Sequence, residues 1–171
     1  MRRLLLYGLG GLSVALLGLA FATCSTSGLD NPCPTPSAGS EAGVLLADAR
    51  SAAPFAVLYP CQLPAGEQLV GETVTGPAGR QQAELVFAGP FDLTLRQSQY
   101  PPPTNPDPTG ASRSEIDLFP NVRAILLEVN DGTRKALYHL FWERDGLFYE
   151  LQAVGPPLQR RQILQVATSL E

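Results

Sequence analysis

The chain has one histidine, one lysine, one tryptophan and three cysteines in 171 residues, and each scarcity removes a class of chemistry. With His139 alone, no zinc or iron site of several imidazoles can form, and Cys24, Cys33 and Cys61 stand 9 and 28 residues apart, which matches no metal-ligand spacing. Lys135 is the single lysine beside eleven arginines, and no run of basic residues is present. Nucleic acid and anionic lipid headgroups need clustered cations, so neither is expected as the main partner. The formal charge of -4 becomes -6 once Arg2 and Arg3 are set aside with the N-terminal segment. No G-x-S-x-G turn is present to carry a serine nucleophile. No metal, cofactor or catalytic set is expected, and the chain reads as a non-enzyme.

What the chain does have begins with export. Met1, Arg2 and Arg3 precede an apolar run over residues 4–23, and Ala20-Phe21-Ala22 has the small-x-small form that a signal peptidase cleaves. The run is also just long enough to span a bilayer uncleaved. Cys24 follows it directly, with Ser25, Thr26, Ser27 and Gly28 behind, the arrangement of a lipidated cysteine with a polar leader. A lipoprotein, a cleaved and released protein and an uncleaved anchor all remain open. Each places the domain outside the cytoplasm, and the first and last attach it to the outer face of the cell membrane. In such a compartment Cys33 and Cys61 are candidates for a disulfide.

Residues 24–40 are rich in Ser, Thr, Gly and Pro and read as a flexible tether, leaving residues 41–171 for one domain. Ser40 is a suitable N-cap for a helix through about Arg50, with Ala42, Leu45, Leu46 and Ala49 on one side. An apolar segment over 54–66 reads as a strand interrupted by Pro60 and Pro64. Strands follow at 68–75, 82–87 and 91–99, separated by Gly- and Pro-containing turns, as in an antiparallel meander. Residues 100–110 carry five prolines and predict an exposed connection with polyproline character.

The richest patterning lies in the last fifty residues. Strands are expected at 112–118, just before this stretch, and at 122–129, 135–142 and 147–154 within it, with turns at 130–133 and 144–146. In the third of these, Ala136, Tyr138, Leu140 and Trp142 face one way and Leu137, His139 and Phe141 the other. Both sets are largely apolar, which predicts a central strand covered at least partly on each side. Pro157 is expected near the first turn of a closing helix whose apolar stripe is Ile163, Val166, Ala167 and Leu170. The fold class is therefore α+β, a curved antiparallel sheet of about six to eight strands covered by an N-terminal and a C-terminal helix.

Four segments resemble, in order, a bacterial extracytoplasmic domain of unknown function that also occurs at the outer ends of anti-sigma-factor-like membrane proteins. They are FAVLYPCQLPAG at 55–66, LTLRQSQ at 93–99, FWERDGLFYELQA at 141–153 and ILQVATSL at 163–170. The similarity extends more distantly to the half-barrel of periplasmic lipoprotein carriers. It implies an envelope location and a sheet-and-helix module, and it brings no catalytic residues. Only three residues precede the apolar run, so a cytoplasmic sigma-binding region is not expected.

Two functions follow as expectations. One is a non-catalytic envelope module that binds a protein or peptide partner. The alternative is a carrier or sensor of an apolar ligand held between sheet and helices, with Trp142, Phe148 and Tyr149 lining the groove. His139 reads as a strand position more than as a base, and Glu128, Asp131, Glu143, Asp145 and Glu150 as turn and surface carboxylates near the hairpin.

Overall fold

The computed structural model describes residues 33–102, 108–130, 136–155 and 158–171, and these form one compact unit. The export segment, Cys24 and the first part of the tether lie outside the described residues, as do Asp131, Lys135 and Pro157. In chain order the elements are α1 (Glu41–Ala52), β1 (Gln68–Thr75), β2 (Gln82–Ala88), β3 (Asp92–Ser98), β4 (Ser112–Phe119), β5 (Val122–Asn130), β6 (Ala136–Arg144), β7 (Leu147–Gly155) and α2 (Arg160–Thr168).

The seven strands make a single open sheet in the order β1-β2-β3-β7-β6-β5-β4, with every pair antiparallel. Two meanders, β1–β3 and β4–β7, are thus joined through β3 and β7. The class and strand number agree with the sequence expectation. The β6–β7 hairpin shows why its boundaries were readable. Asp145 and Gly146 both take left-handed backbone conformations, φ 55° and 77°, the geometry a two-residue Asp-Gly turn supplies.

Strict alternation divides the sheet into two faces. Leu85, Phe87, Leu93, Leu95, Leu126, Leu140, Leu151 and Ala153 are buried on the inner face and join Leu46 and Ala49 of α1 and Ile163, Val166 and Ala167 of α2 in one core. Both helices therefore cover the same face. Ser40 caps α1 by accepting from the Gly43 amide at 3.1 Å, and its hydroxyl donates to Ser37 O at 2.7 Å. A Cβ at Gly43 would lie 1.9 Å from Ser37 O, so this helical glycine is what lets the preceding chain fold back on the cap. α2 starts at Arg160 with Gln159 as N-cap, whose amide donates to Gln162 Oε1 at 2.9 Å while Gln162 N donates to Gln159 O at 2.8 Å.

The segment over 54–66 is not a strand of the sheet. Pro60 and Pro64 remove ladder donors, and the chain instead lies along the inner face with its backbone groups paired singly. Gln97, fully buried on β3, does the central part of this: its Oε1 accepts from Leu58 N and its Nε2 donates to Leu58 O, each at 2.8 Å. Tyr59 exchanges bonds with Glu171 at 2.9 and 3.2 Å, and Cys61 N donates to Ser169 O at 3.0 Å. Cys33 and Cys61 are joined by a disulfide, Cα to Cα 4.8 Å. The folded unit accordingly begins before residue 41, because the second half of the expected tether is tied to the domain by this bond and by the Ser37–Ser40 cap.

The edges carry features that discourage further pairing. β1 has a bulge at Val70, between Leu69 and Gly71, and β4 has one before Phe119. On β4, Glu115 and Asp117 stand beside Arg123 of β5 at 3.9 and 4.0 Å.

Candidate functional site

The face of the sheet turned away from the helices carries the candidate site. Here β2 contributes Gln82 and Glu84, β3 Arg96, β7 Glu150 and Gln152, β6 Leu137, His139 and Phe141, β5 Ile125 and Leu127, and β4 Arg113. The connection from β3 to β4 must pass β7, β6 and β5, a displacement of about 19 Å at the spacing of paired strands. The described ends of that connection bring Pro101, Pro102 and Pro108 to the same groove. Its volume is about 790 Å³, within the range of small-molecule and peptide sites.

Strand register builds a polar network across the groove floor. Glu84 stands opposite Arg96, and Arg96 opposite Glu150. Arg96 Nε donates to Glu84 Oε2 at 2.6 Å and Nη1 to Glu150 Oε1 at 3.3 Å. His139 Nε2 meets the same Glu150 oxygen. Burial alone would push the Glu150 carboxyl up, but the bond and charge of His139, with Arg96 beside it, hold it below the usual carboxylate range. Burial likewise works against the Arg96 charge, and the carboxylates of Glu84 and Glu150 outweigh it, raising its affinity for the proton. An ionised carboxylate only accepts, so Nε2 of His139 carries the proton in this bond.

Beside this network lies an apolar wall. The ring of Phe141 sits 4.2 Å from that of His139, and Leu127 is buried although it belongs to the outer face. The in-register neighbours of His139 are Leu127 and Gln152, neither a hydroxyl nor a thiol. The groove is thus half charged, over β2, β3 and β7, and half apolar, over β5 and β6.

The expected groove of Trp142, Phe148 and Tyr149 does not exist in that form. Trp142 and Tyr149 are buried in the core and stack at 5.1 Å with their rings 7° from parallel. Alternation sends Phe148 to the opposite face, level with Ser98 and Glu143, so the three cannot line one cavity. Among the described carboxylates near the hairpin, Glu128 pairs with Arg160 at 3.6 Å, Asp145 with Arg144 at 3.2 Å, and only Glu150 enters the groove. Glu84 and Arg96 carried no functional expectation. Their signal was the spacing about the Gly89-Pro90 turn, which sets residues 84 and 96 face to face in a hairpin.

Among the described residues, the group best placed to ligate a metal is Cys33, Cys61 and Glu171, whose two sulfurs are already joined to each other. No helix among the described residues is long and apolar enough to cross a membrane. Compared with protein-family models, with curated proteins and with solved structures, the chain has no match in any of the three.

Proposed function

We propose that this protein is a non-catalytic module of the cell envelope, exported and held at the outer face of the membrane by its N-terminal segment or a lipid on Cys24, and that it binds a protein or peptide partner in the outer-face groove. The observation that carries this reading is the groove itself: a preformed, half-buried charged network next to an apolar wall, on the one sheet face that the helices leave uncovered. Buried side chains fixed by their own bonds lose little freedom on binding, which favours recognition. The disulfide between Cys33 and Cys61 fits an oxidising compartment. The four segments that resemble the extracytoplasmic domain point the same way. The alternative, an apolar ligand between sheet and helices, loses Trp142 and Tyr149 as its lining, because both are packed into the core.

Leu137→Glu places a charge on the apolar wall without touching the helix-covered face. Affinity purification from native membranes is expected to recover a defined partner with the wild type and with Val44→Glu, a control on the exposed side of α1, but not with Leu137→Glu. Retention of the same partner by Leu137→Glu, with an unchanged melting temperature, would place the binding surface elsewhere.

A further inference from the structure

We infer that Glu67 is a proton-operated latch, which seals one corner of the sheet when its carboxyl is neutral and loosens that corner when it is ionised. The inference stands apart from the groove. Only its use as a regulator draws on the envelope location proposed above, where a domain meets the pH of its surroundings. Glu67 closes the turn that leads into β1, its amide donating to Pro64 O at 3.1 Å. Its side chain reaches the β2–β3 turn, where Oε1 accepts from Phe91 N at 2.8 Å. The two turns close directly on the carboxyl: a Cβ at Gly89 would lie 2.6 Å from Gly66 O and 2.8 Å from Glu67 Oε1. Phe91 in turn lies against Gly155 at the end of β7, where a Cβ would meet its Cδ1 at 2.6 Å. One carboxyl thereby joins the starts of β1 and β3 to the end of β7.

This position serves a neutral carboxyl better than a charged one. Glu67 is 7% exposed, and its Oε2 is buried with no hydrogen-bond partner. Among the described residues, Asp92 at the start of β3 is the charged side chain that acts on it, and it has the same sign. Arg50 of α1, the helix that packs on β1, is turned instead to Val57 O at 3.0 Å. A buried charge without a counterion is costly, and the group takes up a proton instead. Burial pushes the Glu67 carboxyl up, the bond from Phe91 N draws it down, and Asp92 adds to the rise, leaving it above its ordinary value. The stability it contributes is therefore full below the unfolded-state value and is lost as pH rises through the higher folded one. That loss falls on a weakly held part of the sheet. β1 is an edge strand paired only with β2, and its ladder is already interrupted between Leu69 and Gly71. Letting water reach Oε2 costs local pairing there, and not global unfolding.

Hydrogen exchange on the full chain in detergent, corrected for the intrinsic pH dependence of exchange, tests the latch. Between about pH 5 and about pH 8, above the range of unperturbed carboxylates, residues 88–92 of the wild type are expected to lose protection several-fold. In Glu67→Gln the same residues are expected to keep a level protection. Asp92→Asn removes the opposing charge and should move the loss to lower pH. The carboxyl carbon of Glu67, followed by NMR in the wild type, should titrate above the usual glutamate range. A wild-type profile that is flat or rises with pH, or one that Glu67→Gln reproduces, would overturn the latch. So would a Glu67 titration at or below the usual range, a readout that stands even where Glu67→Gln does not fold. Neither result touches the partner experiment with Leu137→Glu, so failure of the groove and failure of the latch are read separately.

Discussion

Glu150 bears the most conflicting demands of any residue on the outer face, being largely buried, ionised and shared between an arginine and a histidine. Its carboxyl is held below the ordinary range, so the stability it contributes is present above the unfolded-state value near pH 4.3 and is lost as pH falls through the lower folded value. Glu150→Gln is expected to cost about 1.5–3 kcal/mol at pH 7, the usual range for hydrogen bonds to a charged group. Chemical denaturation across pH should show that difference shrinking in acid; a difference independent of pH would mean that the carboxylate charge is not what matters. Gln97 makes a second residue-scale case. Gln97→Leu would leave both backbone groups of Leu58 without their partner, and a loss of about 2–4 kcal/mol in equilibrium unfolding is expected. Nothing in the local pattern distinguished Gln97 from its apolar neighbours Leu93 and Leu95 except that it alone could bond, and the partner lies 39 residues away.

At the scale of elements, legibility followed the range of the contacts that hold each one. Hairpins are set by their turns, so the spacing about Gly89-Pro90 and Asp145-Gly146 brought Glu84 to Arg96, and His139 diagonally next to Glu150. The pairing of β3 with β7 joins residues fifty or more positions apart, and no turn announces it. Without that pairing the two halves of the charged network remain separate, which is why His139 reads in the sequence as an isolated strand position. The segment over 54–66 departs from the sequence expectation for a related reason. Its apolar residues do bury, but its backbone is satisfied by Gln97 and by the C-terminus, long-range partners that periodicity does not encode. The disulfide adds a third long-range tie, closing a loop of 28 residues. Cys33→Ser is expected to lower stability by about 3 kcal/mol and the melting temperature by about 10 °C, with a matching effect of reductant on the wild type. A reductant-insensitive melt would show that the pairing of residues 59–61 with 169–171 suffices alone.

For the whole molecule, the decisive feature is that both helices and the irregular segment crowd one face, while Pro101, Pro102 and Pro108 from the described ends of the β3–β4 connection line the groove on the other. A single sheet thereby separates a packed core from a surface with room for a partner. Anchoring would orient that surface with respect to the envelope, and labelled palmitate is expected to enter the wild type and to vanish in Cys24→Ser; persistent labelling would remove Cys24 as the acylated residue. The partner site itself is tested most directly by site-specific photo-crosslinking in intact cells, with the photoreactive side chain at position 141 in the groove or at position 44 on α1. The expected result is a discrete crosslinked protein from position 141 that is absent from position 44 and weakened by Glu84→Gln. Equal crosslinking from both positions, or none from 141, would contradict the assignment of the outer face as the binding surface.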